Sequence, residues 1–257
     1  MKVELAPPTT GRANTVRRNE VLLVLGVSLG QSAIYAMVSI TARLTADRPL
    51  SQQTATLNAS QSPRPYLDLT YQLLGIFFAL VPVLLAIHLL NRERDARATL
   101  GLDRRHPIFD LLWGVGLTAL IGIPGILLYY GAVEVGINAN VVPAALPDLW
   151  WAVPVLILAA AQNAILEEVV VVGYLMTRLE QMGWRVRAII ATSALLRGCY
   201  HLYQGFGGFV GNAVMGVIFA LFFLRTRRVL PLVIAHTLLD VMAFVGYTLL
   251  KDRWDWL

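Results

Sequence analysis

The sequence predicts an all-α, polytopic membrane protein with about seven or eight transmembrane helices around a buried polar interior. Hydrophobic residues fill 57% of the 257 positions and charged residues only 14%, against about 25% charged in an average soluble domain. Several apolar runs exceed the roughly 20 residues needed to cross about 30 Å of hydrocarbon. The basic residues behind the formal charge of +5 lie in short loops between these runs, where they report topology rather than a nucleic-acid footprint. Membrane lipids are therefore expected partners, and nucleic acid is not. Cys199 is the single cysteine; it cannot form an internal disulfide and suits a packing position.

The elements follow in order. Residues 1–18 are polar, contain Pro7, Pro8 and Gly11, and end in Arg17 and Arg18, the composition of a disordered basic tail. The remainder, 19–257, reads as one helical membrane domain. Its first span, 20–41, is longer than a signal-peptide apolar core and is followed by no small-residue cleavage site, so it is expected to remain as a helix. A polar loop over 43–65 precedes the second span, 66–90, and a charged loop over 91–107 precedes the third, 108–131, where Pro124 is a candidate kink. The fourth starts near Asp148 and meets its first basic residue at Arg178; the fifth, sixth and seventh cover 188–202, 209–224 and 229–250. Gly205, Phe206, Gly207 and Gly208 suggest a tight turn at membrane depth between the fifth and sixth. Gly207, Gly208, Gly211 and Gly216 suit close helix packing rather than phosphate binding.

With seven spans, the side holding the N-terminal tail, 91–107, 178–187 and 225–228 carries 15 Lys and Arg, against 5 on the other side. This bias predicts a cytoplasmic N-terminus in a cell membrane, read here as a bacterial plasma membrane. An eighth, re-entrant or broken helix would reverse only the C-terminus.

Glu167 and Glu168 are the costly feature of the fourth span. A charged group at the bilayer centre is disfavoured by about 2.5–3.5 kcal/mol on insertion scales, so such residues face a protein or water-filled interior. The other strongly polar residues within spans are Arg197 and His201 in the fifth, Asn212 in the sixth, and His236 and Asp240 in the seventh. Arg197 with His201, and His236 with Asp240, are spaced four apart and share a helix face. At 1.5 Å per residue from the basic end of each helix, Glu167 lies roughly 16 Å deep, Arg197 about 15 Å, His201 roughly 21 Å, and His236 and Asp240 roughly 12 and 18 Å. These depths allow one mid-membrane cluster. Asn212 fits an interhelical hydrogen bond or a substrate contact, and His88, near the end of the second span, fits an interfacial position.

Glu167-Glu168, then His201, then His236-Thr237-Leu238-Leu239-Asp240 resemble the motifs of the CPBP family of intramembrane proteases, which includes the type II CAAX prenyl endopeptidases and the bacteriocin-immunity (Abi) proteins. The resemblance covers a core of about 148–250. It implies a helical fold with a conical, partly water-filled cavity, a peptide or protein substrate that in part of the family is lipidated, and roles for the matching residues. Glu167 resembles the catalytic glutamate that activates water together with His201. His236 with Asp240 resembles the group that stabilises the oxyanion, and Glu168 completes the acidic pair. A carboxylate and an imidazole can share a water and its proton. Glu167, His201, His236 and Asp240 are also suitable zinc ligands; of the metal-dependent and metal-independent mechanisms described for the family, the one without a tightly bound metal is favoured.

This chain departs from the family where Val172 stands at the usual Arg, four residues after the second Glu, and where Arg197 stands at the usual Phe, four residues before His201. The departure suggests that the guanidinium has moved from the fourth helix to the fifth and still pairs with Glu168. The leading expectation is an intramembrane endopeptidase. A catalytically silent membrane scaffold and a proton-coupled transporter using the same side chains as a relay are the alternatives.

Overall fold

A computed structural model of the protein describes residues 11–250. Helix α1 (Gly11–Gly26) and α2 (Leu29–Leu44) form a pair bent by 53°. The bend has local causes. Ser28 Oγ bonds back to the Val24 carbonyl at 2.5 Å, and a Cβ on Gly30 would lie 2.7 Å from the Leu25 carbonyl oxygen, so only glycine permits this approach. The expected first span is thus broken. The tail read over 1–18 is helical from Gly11 onward because Arg17 is tied to Glu93 at 2.8 Å; residues 1–10 lie outside the described residues, as do Lys251 and Arg253.

Among the described residues, five helical stretches are long and apolar enough to cross a membrane, or six with the bent pair. They are α3 with α4 (Pro65–Ala79 and Val81–Asn91), α6 (Pro107–Glu134), α7 through α8 (Ala152–Gln181), α10 (Phe206–Thr226) and α11 (Leu230–Leu250). A short α5 (Ala96–Leu100) precedes α6, which continues through Pro124. The expected fifth span, α9 (Val186–Tyr200), has 15 residues and reaches about 22 Å at 1.5 Å per residue. It stops short because the chain turns through 202–204 into Gly205, whose φ of +122° favours glycine. The protein is an all-α, multi-pass membrane protein, and among the described residues the expected fifth span is a short one.

Between α7 (Ala152–Glu167) and α8 (Met176–Gln181) the helix widens into a π segment, Glu168–Leu175, in which every residue is buried. Val169 to Val172 are packed against protein on all sides rather than against lipid. This span is the axis of the bundle: α4, α9 and α10 pack on its π segment and α11 on α7. Close approaches of α9 to α10 depend on missing side chains, since a Cβ on Gly216 would meet Ala194 Cα at 2.9 Å and one on Gly198 would meet Phe209 at 2.9 Å.

The two ends of the bundle differ. At one end Arg178 bonds Glu20 and Glu93, Arg227 bonds Glu180, and Arg228 bonds Asp103 and Asp110, so the four basic segments expected on one side do meet there. At the other end the loops after α2 and α6 supply β1 (Thr54–Thr56) and β2 (Asn140–Val142), a two-stranded parallel sheet pairing Thr54 with Asn140. The Asn138–Gly205 bridge ties this layer to the turn after α9.

Candidate active site

The π segment begins at the second glutamate. Neighbours in an α-helix are turned by about 100° and do not face one another; a wider turn reduces that rotation, and π segments recur at functional sites. Here both glutamates reach the same guanidinium. Arg197 Nη2 lies 2.6 and 2.7 Å from the two oxygens of Glu168, and Nη1 lies 3.3 Å from Glu167 Oε2. The guanidinium also lies 5.4 Å from the Phe219 ring centroid. Arg197 on α9 thus bonds both glutamates, while Val172 is buried in the apolar core.

His236 Nδ1 is 2.7 Å from Glu168 Oε1. A carboxylate only accepts, so Nδ1 carries the proton of that bond, and the other ring nitrogen, Nε2, faces Asp240 Oδ1 at 3.7 Å. Glu167 keeps different company. Its Oε2 accepts from the Tyr200 hydroxyl at 2.8 Å and is 3.7 Å from His201 Nε2 and 4.0 Å from His236 Nδ1. His201 Nδ1 meets Gln204 Nε2 at 3.3 Å, and the amide in turn donates to Tyr203 at 3.0 Å. With Nδ1 accepting from Gln204, the proton of a neutral ring is on Nε2, a buried nitrogen with no hydrogen-bond partner among the described residues.

Side-chain exposure rises through the cluster, from 0% at Arg197 and Glu168 to 10% at Glu167, 16% at His201 and 21% at Asp240. On all three helices this order runs away from the basic end, so the cluster is most deeply buried at the side nearer that end. Two clefts elsewhere, of about 520 and 220 Å³, are lined by no site residue.

Six residues singled out from sequence thus meet: Glu167, Glu168, Arg197, His201, His236 and Asp240. Asn212, expected to bond another helix or a substrate, bonds within its own helix. Its amide donates to the Gly208 carbonyl of its own helix at 2.9 Å, the one-turn distance at which a short polar side chain satisfies itself locally. His88 is exposed on α4, and Cys199 packs against the core. Tyr200 was not legible as a site residue, because a tyrosine on an apolar helix gives the same signal as core packing; its adjacency to His201 was the available clue.

Among the described residues, the group with ligand atoms close enough to share a metal is Glu167, Glu168 and His236, within 4.8 Å of one another. Of the expected ligand set, His201 and Asp240 fall outside it. As they stand these donors do not suit a metal: Arg197 takes both oxygens of Glu168, and His236 Nδ1 carries a proton where a ligand needs a lone pair.

The stretch that holds all of these residues, 149–242, matches the family described as type II CAAX prenyl endopeptidase Rce1-like. The match covers 94 of the 257 residues and makes this part of the chain similar to that family. Comparison with curated proteins and with solved structures gives no match. The matching stretch runs from the N-terminus of α7 to the middle of α11 and so includes the π segment and the turn carrying His201.

Proposed function

We propose that the protein is an intramembrane endopeptidase of the CAAX protease type that hydrolyses a peptide bond with a water activated by Glu167 and His201. The match to the family supports peptidase action on a peptide or protein presented at the membrane. The observation that carries the finer reading is the unequal use of the two glutamates. Glu168 is spent on Arg197 and His236, whereas Glu167 has one oxygen held by Tyr200 and Arg197 and faces His201 Nε2 across 3.7 Å.

In this reading the Glu167 carboxylate takes a proton from water as the oxygen attacks the carbonyl carbon, and His201 Nε2–H orients that water. The proton then passes to the leaving amine as the C–N bond breaks. His236 has Nδ1–H committed to Glu168, so Nε2 is the nitrogen that meets the developing oxyanion; it donates there when the ring carries both protons. Asp240 orients the ring and cannot itself donate while ionised. The reading needs no resident metal, because the guanidinium already bonds both carboxylates of the acidic pair. The basic end faces the cytoplasm by the positive-inside rule, and the substrate enters from the end carrying the β layer.

The test is cleavage of prenylated and unmodified peptides by the protein reconstituted in vesicles, beside Glu167→Gln and His201→Ala. Loss of cleavage in both variants supports the reading. Equal residual activity in all three proteins overturns it in favour of a silent scaffold, and the two peptides report whether a lipid group is recognised.

A further inference from the structure

We propose that the Arg197 guanidinium stands where a divalent cation would otherwise bind, so that a metal site built from Glu167, Glu168 and His236 is latent beneath it. The donors are in place: their ligand atoms lie within 4.8 Å of one another, and zinc holds carboxylate and imidazole ligands at about 2.0–2.2 Å, so small side-chain rotations close the set. Two features of this chain keep the site shut. The guanidinium lies 2.6 to 3.3 Å from oxygens of both glutamates, and it is wholly buried with Phe219 packed against it. The same pair fixes the Nδ1 proton of His236, because Glu168 Oε1, polarised by Arg197, accepts it at 2.7 Å. Removing the guanidinium leaves two buried carboxylates without a cation. A divalent ion restores the balance, and His236 gives up Nδ1–H to become the third ligand.

The experiment measures zinc per chain in the full-length protein in detergent, and the visible spectrum with cobalt, for wild type, Arg197→Ala, Arg197→His and the double variant Arg197→Ala with Glu167→Gln. Each is expressed in zinc-supplemented and in chelator-treated medium. Wild type is expected to hold no stoichiometric ion. Arg197→Ala and Arg197→His are expected to gain one ion per chain, with a cobalt spectrum of low coordination number, and the double variant to lose it. Zinc at about 100 times its dissociation constant should raise the unfolding midpoint of Arg197→Ala by about 5–10 °C and leave wild type unmoved. One tightly held ion in wild type that disappears with Glu167→Gln overturns the proposal. So does a folded Arg197→Ala that binds nothing, and so does failure of both single variants to accumulate even with zinc, since a latent site would fill during expression. None of these readouts requires peptide cleavage, so the endopeptidase reading and this inference fail separately.

Discussion

Arginine is buried against carboxylates at two levels of this molecule, and the two arrangements differ in charge balance. At the basic end Arg178 joins Glu20, Glu93, Gln181 and the Leu89 carbonyl, with Arg17 and Arg92 sharing the two glutamates. Arg228 likewise clamps Asp103 and Asp110, and Arg105 lies 3.7 Å from Asp103 as a second guanidinium. Those groups tie α1, the segment after α4, α6 and α11 together, and each carboxylate has a guanidinium. In mid-span one guanidinium serves two glutamates, while two imidazoles and Asp240 crowd the same space. A lock needs matched charges; a surplus of acidic oxygen beside His201 has no structural use, and this surplus is what the proposed hydrolysis draws on.

The comparison is broken most directly by removing its arginines. Arg197→Leu leaves two carboxylates buried and unpaired, so it is expected to cost about 3–5 kcal/mol of stability and to abolish cleavage. Arg178→Leu uncovers Glu20 and Glu93, whose side chains are already 13% and 34% exposed; water takes up part of the loss, and a cost of about 1–3 kcal/mol is expected with activity retained per folded molecule. Chemical denaturation in detergent and cleavage rates normalised to folded protein separate the two. Wild-type expression and activity in Arg197→Leu would end the view that this guanidinium replaces the one missing at Val172.

The glutamates sharpen the contrast in the opposite sense. Glu167→Gln keeps the size of the side chain and removes the surplus charge, so cleavage should fall by about 10²–10⁴-fold while the unfolding midpoint holds or rises. His236→Ala should lower cleavage by about 10²–10³-fold, the usual cost of an oxyanion donor, and also destabilise the fold, because Glu168 loses a bond. A Glu167→Gln protein that cleaves normally but unfolds early would make the mid-span cluster a second lock.

How far these two levels could be read from sequence differs for physical reasons. The meeting of Glu167, Glu168, Arg197, His201, His236 and Asp240 was accessible because helix rise is fixed: distance from a basic loop converts to depth, and four-residue spacing fixes the face. The same rule grouped the basic segments at one end. What stayed hidden depends on departures from regular helix. The π segment lies in a run of four valines that has no periodicity to reveal a widened turn, and the 53° bend at α1–α2 rests on Gly30 and on Ser28 bonding back to Val24. The strands β1 and β2 are three residues each and pair loops far apart in the chain. Asn212 misled because an amide in a span suggests a partner helix, whereas its own helix supplied the carbonyl.

Tyr200 gives a finer test of how the surplus charge is held. Its hydroxyl fixes Glu167 Oε2 at 2.8 Å, so it is a positioning residue that keeps the carboxylate turned toward His201. A hydrogen bond to a charged group contributes about 1.5–3 kcal/mol, so Tyr200→Phe should lower kcat by about 10–100-fold with KM unchanged. A purely structural tyrosine would instead lower the folded fraction and leave the kcat of the folded remainder intact.

The smallest effect expected is in the acid stability of the basic end. The hydrogen bond from Arg17, aided by the charge and hydrogen bond of Arg178, holds the Glu93 carboxyl below its ordinary value of 4.5 against the opposing effect of partial burial. A carboxylate with a lowered folded-state value contributes stability above the unfolded value and loses it as the pH falls through the folded one. The Glu93 contribution should therefore be complete above about pH 4.5 and drain below it. Because this side chain is one-third exposed, solvent and salt screen the pair and the change is slight. Unfolding midpoints of wild type and Glu93→Gln, measured from about pH 6 to pH 3 at low salt, should converge as the pH falls, and added salt should narrow the gap at the upper end. Parallel curves across that range would mean that Arg178 is held by Glu20 and Gln181 alone, and that Glu93 adds nothing to the lock.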